Sequence, residues 1–192
     1  ADGTWAGSAP ISTSRQWQRC DAAGSNCADI AGETGTSYDL TPSDVGQTIR
    51  VVVTADNAAP GTVTATSAAT GVIAARPPAN TTLPSITGTP SSGRTLTAAP
   101  GVWTGTPTIA YVYQWQRCDA FGAGCADVPG ETGTTLTLGD LDVGSTFRVV
   151  VTATNGTVPV SATSAATGPV QPAAPTNDVP PWVTGTAMVG QT

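Results

Sequence analysis

The chain contains no histidine and no lysine, and all seven of its cationic side chains are arginines. That removes the usual imidazole base, histidine metal sites, Schiff-base lysines and the lysine of a phosphate-binding loop. It also removes lysine–asparagine cross-links. Charged residues make up only 10% of the chain, with a net charge of -6 and no basic cluster, so binding to nucleic-acid backbones is not expected. No apolar run approaches the ~18 residues of a membrane span, no signal peptide is visible, and the chain reads as a mature soluble piece. Leucine and glutamate are scarce, and aromatics amount to 5%. Glycine (22), proline (16), threonine and alanine are abundant instead, within 192 residues that are 39% hydrophobic. Such a composition is too apolar for a disordered chain and poor for helices, which leaves an all-β fold.

Compared with itself, the sequence repeats at a period of 97 to 98 residues. Segment 16–36, QWQRCDAAGSNCADIAGETGT, returns at 114–134 as QWQRCDAFGAGCADVPGETGT. DVGQTIRVVVTADN (44–57) returns as DVGSTFRVVVTATN (142–155), and TATSAATG (64–71) as SATSAATG (161–168). Of the 57 positions from Ala1 to Asn57, 33 are identical to their partners 98 residues on.

The phase of the repeat sets the expected domains. Residues 1–73 form a repeat lacking its first strands, because Ala1 to Trp5 match Ala99 to Trp103. A proline-rich linker (74–83), a complete repeat (84–170) and a second proline-rich linker (171–180) follow. The opening absent from the first repeat returns at 181–192, where PWVTGTAMVGQT matches PSITGTPSSGRT (84–95). Either the sequence is a window on a longer array, or its last segment, with Trp182, Val183 and Met188, adds a strand to the first repeat of another copy. The linkers read as extended, semi-rigid spacers.

Alternating patterns give the complete repeat about seven short strands: 85–89, 94–98, 111–118, a short one after the cysteine loop, 134–138, 146–153 and 158–163. Trp115, Phe147, Val149 and Val151 are expected in the core, with Trp17, Val51 and Val53 at matching places in the first repeat. Trp5 and Trp103, beside glycine in a connection, are either caps on the core or candidate ligand contacts.

The series QWQRCD, GETG, DVG before a β-branched strand, VTAxN and SAATG resembles bacterial immunoglobulin-like tandem repeats of large secreted and surface proteins of high-GC bacteria. The resemblance implies tandem immunoglobulin-like β-sandwiches joined by proline-rich linkers. Two features depart from antibody-type domains: no cysteine falls on the second or sixth strand, and the tyrosine corner is missing.

The four cysteines form two C-x6-C pairs, Cys20/Cys27 and Cys118/Cys125. Metal binding would need further soft ligands, and a redox motif would need C-x-x-C. A local disulfide in each repeat remains, and it points to an extracellular or cell-surface setting. Asp21, Asp29, Glu33, Asp44 and their partners are scattered singly, which suits turns and caps better than calcium. Arg19, Arg50, Arg117 and Arg148 are expected to pair at the surface with Glu33 and Glu131.

No cofactor, metal or catalytic residue is expected, and the chain does not read as an enzyme. The expected function is an extracellular structural and adhesive segment forming a stalk or filament. Its partners would be neighbouring repeats or copies of itself, together with surface glycans or proteins. Carbohydrate- or protein-binding accessory modules of a larger secreted enzyme are the alternative.

Overall fold

The computed structural model describes residues 1–185 and 189. Apart from two 3-10 turns, Pro42–Asp44 and Asp140–Asp142, regular structure among the described residues is entirely β. Several antiparallel sheets result, an arrangement consistent with a β-sandwich. By compactness the chain divides into two units. One comprises Ala1–Thr82, Val102–Tyr111 and Thr152–Ser161, the other Leu83–Gly101, Val112–Val151 and Ala162–Thr192.

In the first repeat, β1 (Ser12–Cys20), β2 (Ala28–Asp29), β3 (Thr48–Asp56) and β4 (Val63–Thr66) form one sheet in the order β2-β1-β3-β4. Its centre is the β1–β3 ladder, which aligns Trp17 with Val51, Arg15 with Val53 and Thr13 with Ala55. Directly opposed residues share a face, so these six side chains lie on one side of the sheet. The valine and threonine run of β3 favours this pleated backbone because β-branched side chains pack well on it.

The segment 79–82, expected as spacer, is instead a strand. β5 (Ala79–Thr82) pairs antiparallel with β8 (Val102–Thr104), with a register shift between Asn80 and Thr82. Proline density nearby did not prevent pairing, because Pro77 and Pro78 precede the strand.

The second repeat carries two sheets. β9 (Ala110–Cys118), β10 (Ala126–Asp127), β12 (Thr146–Thr154) and β13 (Val160–Thr163) form one, in the order β10-β9-β12-β13. β6 (Ser85–Thr87), β7 (Thr95–Ala99) and β11 (Thr135–Thr137) form the other, with β7 between β11 and β6. Trp115, Phe147, Val149, Val151, Leu96, Ala98, Leu136 and Leu138 are all buried. At the β6–β7 turn, Gly88 has φ +115°, and a Cβ there would come within 2.7 Å of the Thr95 carbonyl oxygen. Only glycine fits such a place.

Candidate functional site

Several polar residues that recur in both repeats bond the backbone or one another. Gln16 Nε2 donates to the carbonyls of Trp17 (2.9 Å) and Ile30 (2.8 Å), and Gln114 Nε2 donates to those of Trp115 and Val128, both at 2.9 Å. The indole N–H of Trp17 donates to the Gly35 carbonyl, and that of Trp115 to the Gly133 carbonyl. Arg50 Nε donates to Gln18 (2.8 Å) and Arg148 Nε to Gln116 (2.6 Å), whose amides bond Asp29 and Asp127 in turn. The expected pairing of Arg19, Arg50, Arg117 and Arg148 with Glu33 and Glu131 is thereby corrected: Arg19 pairs with Asp44, and Arg117 with Asp142 and Ser145. Register explains the choice for Arg50: Gln18 lies directly opposite it in the β1–β3 ladder.

Asp21 and Asp119 each accept two backbone N–H bonds within their own cysteine loops. Inside those loops the disulfides Cys20–Cys27 and Cys118–Cys125 are formed, with Cα atoms 3.9 and 4.0 Å apart. Asp44 and Asp142 accept from the backbone N–H of Thr41 and Gly139, as a turn-fixing carboxylate should. Asn80 and Asn155 have their amides engaged: Asn80 with the Thr82 and Val102 carbonyls, Asn155 with those of Arg76 and Thr106. No group of three or more metal-ligating side chains occurs among the described residues.

Where the repeats diverge, the first exposes what the second covers. Trp115 and Val149 are 0% exposed, whereas Trp17 and Val51 are half-buried. Leu138 is 1% exposed and its counterpart Leu40 is 58% exposed. Ser164 is buried while Ser67 is exposed, although each hydroxyl accepts the same strand N–H, from Val149 and from Val51, at 3.0 Å. The cause is topological. Segment 36–40 corresponds to β11 and its flanks but forms no strand, and among the described residues no strand stands beside it as β7 stands beside β11. A cleft of about 160 Å³ remains, lined by Val51, Val53 and Ala65 on one side and Ala1 to Gly3 on the other.

Local substitutions cover part of this face. Arg15, where the second repeat has Tyr113, pairs with Asp2, which replaces Pro100; Thr13 also donates to Asp2. Tyr38, in place of Leu136, packs on Trp17 with ring centroids 5.8 Å apart and donates to Asp44 at 2.9 Å. Asp44 is fully buried and also takes Arg19 (2.7 Å) and the Thr41 N–H and hydroxyl (2.6 and 2.9 Å). Burial acts to raise its carboxyl, but the bonds from Thr41, Tyr38 and Arg19 outweigh it and hold the group below its ordinary value. In the same way the Arg15 guanidinium holds Asp2 below the usual carboxylate range. Nothing in the sequence alone signalled the Trp17–Tyr38–Asp44–Arg19 cluster, because none of these residue types is unusual by itself.

Trp5 is half-buried, gives its indole N–H to the Asp2 carbonyl at 2.7 Å, and borders a cleft of about 120 Å³ with Ile11, Asn57 and Val63. That is small beside the ~300 Å³ at which small-molecule pockets begin. Trp103 lies on β8 rather than in an open connection, and its ring is tilted against Tyr111 at 6.1 Å. Trp182 and Val183 are 78% and 98% exposed, and Met188 lies outside the described residues. No protein-family model matches this chain, and no curated protein matches it.

Proposed function

We propose that this chain is a non-enzymatic structural and adhesive segment of an extracellular protein, in which immunoglobulin-like sandwiches in tandem build a stalk or filament. What carries the reading is the use made of the recurring polar residues. Gln16, Gln18, Asp21, Asp44 and Arg50, with their partners 98 residues on, spend their hydrogen bonds on strands and turns. A repeated binding or catalytic module would be expected to keep some recurring side chains for a ligand. Two disulfides in so short a chain fit an oxidising, extracellular setting, and among the described residues no helix is long and apolar enough to cross a membrane. Neighbouring repeats are the natural partners, since each can offer strands to the next.

Immunodetection on intact producing cells, combined with maleimide labelling of the cysteines before and after reduction, tests this assignment. The expected result is protein at the surface or in the medium, with thiols labelled only after reduction. Protein confined to the cytoplasm with freely labelled thiols would overturn it.

A further inference from the structure

The turn between β12 and β13 carries Asn155-Gly156, the one place in the chain where asparagine precedes glycine; the other four asparagines precede Cys27, Ala58, Thr81 and Asp178. Asn155 is half-buried, and both polar atoms of its side chain are used. Nδ2 donates to the carbonyls of Arg76 and Thr106, both at 2.8 Å, and Oδ1 accepts from the Thr157 hydroxyl at 2.7 Å. Arg76 and Thr106 are also tied to each other. The Thr106 N–H donates to the Arg76 carbonyl at 3.0 Å, and the Arg76 N–H to the Thr106 hydroxyl at 2.8 Å. Backbone 76–78 lies against Gly105, where a Cβ would come within 3.0 Å of the Pro77 carbonyl oxygen. Asn155 is thus a clasp that holds the segment leading into β5 against the turn after β8, all within one compact unit.

We propose that Asn155 is a site of spontaneous deamidation and that its conversion to aspartate or isoaspartate opens this clasp. The amide nitrogen of Gly156 attacks Cγ of Asn155 and loses its proton to solvent. The Cγ–Nδ2 bond breaks, Nδ2 takes up a proton and leaves as ammonia, and a cyclic succinimide closes. Water then opens the ring at either carbonyl, so the net change is one water taken up and one ammonia released. Glycine favours the attack because it has no Cβ to crowd the nitrogen. Gly156 is exposed, and its N–H reaches only Thr154 Oγ1 at 3.4 Å. In the folded chain the bonds on the Asn155 side chain hold Cγ in place, so the reaction waits on local opening of the turn. The product carboxylate has no N–H to give and sets a negative oxygen against two carbonyl oxygens. Asn57 is the internal control: at the matching place in the first repeat it donates to the Ser8 carbonyl at 3.1 Å, but Ala58 follows it.

The test ages the full 192-residue chain in mildly alkaline buffer beside a synthetic peptide of residues 152–159, and locates conversion by fragment mass. Asn155 should convert ahead of Asn57, and about tenfold or more slowly in the chain than in the free peptide, as a reaction gated by local opening requires. In the aged chain, and in Asn155→Asp, hydrogen exchange at the Arg76 and Thr106 N–H groups should quicken by about tenfold or more, with Thr48–Asp56 unchanged. Conversion at Asn57 as fast as at Asn155, equal rates in chain and peptide, or unchanged exchange at Arg76 and Thr106 after conversion would overturn the proposal. Because the aged chain folds before it is modified, the readout survives a variant that folds poorly.

Discussion

Asp44 shows how one buried carboxylate stands in for missing hydrophobic cover. Its position recurs as Asp142, yet only in the first repeat is it fully buried, with Arg19, Tyr38 and Thr41 converging on it. Since its folded pKa lies below the unfolded value of about 3.9, its contribution is fully present above roughly pH 4 and drains away as pH falls through the folded value. Replacing it with alanine leaves Arg19 without its carboxylate, and because Arg19 is one-third exposed the loss should be about 2–3 kcal/mol at pH 7. Thermal melts from pH 7 to pH 2 should therefore show Asp44→Ala less stable at neutrality and flatter in acid. A variant that tracks the parent in parallel down to pH 2 would contradict this role. The identity of Asp44 as a turn residue was readable from the DVG motif; its burial was not, because that depends on Tyr38 occupying the place of Leu136.

At the scale of elements, the long strands were the most legible. The run Tyr111 to Cys118 and the β-branched run from Thr146 correspond to β9 and β12 within a residue or so, because alternation sustained over nine residues leaves no competing pattern. Segment 36–40 carries the same strand-forming character as 134–138 in Thr36 and Leu40 but has no partner strand among the described residues, and a strand exists only as half of a pair. Ala79–Thr82 shows the converse: a stretch with spacer composition becomes β5 because β8 is there to receive it. The hairpin of β9 and β10 adds a covalent element, the Cys118–Cys125 bond, around a loop that Asp119 also organises through the N–H groups of Phe121 and Ala123. Replacing both cysteines by serine should cost about 2 kcal/mol, seen as a lower denaturant midpoint with unchanged slope.

For the whole molecule, the difference in cover predicts unequal stability. The second repeat buries Trp115, Phe147, Val149 and Val151 and carries two sheets, while among the described residues the first carries one sheet, with an ion pair and a tyrosine beside its half-buried Trp17 and Val51. Calorimetry of the intact chain should resolve two transitions, the lower belonging to the first repeat. Trp115→Ala should lower only the upper one, by about 3–5 kcal/mol of stability. A single transition that moves as a unit in this variant would contradict separate folding. The period of the sequence made the likeness of the repeats visible, whereas their inequality follows from strand order, which is a property of the folded sheets.

The disulfides set how far the chain extends when its ends are pulled. A bond between Cys20 and Cys27, or between Cys118 and Cys125, passes tension straight across a loop with a sequence separation of seven, so the residues inside it feel no pull. When a repeat is drawn out from its ends, each closed loop withholds on the order of 20 Å of contour that an open one would release. The cysteine pairs therefore act as fixed stops on extension, shortening the stretch that follows rupture in each repeat for as long as the surroundings stay oxidising.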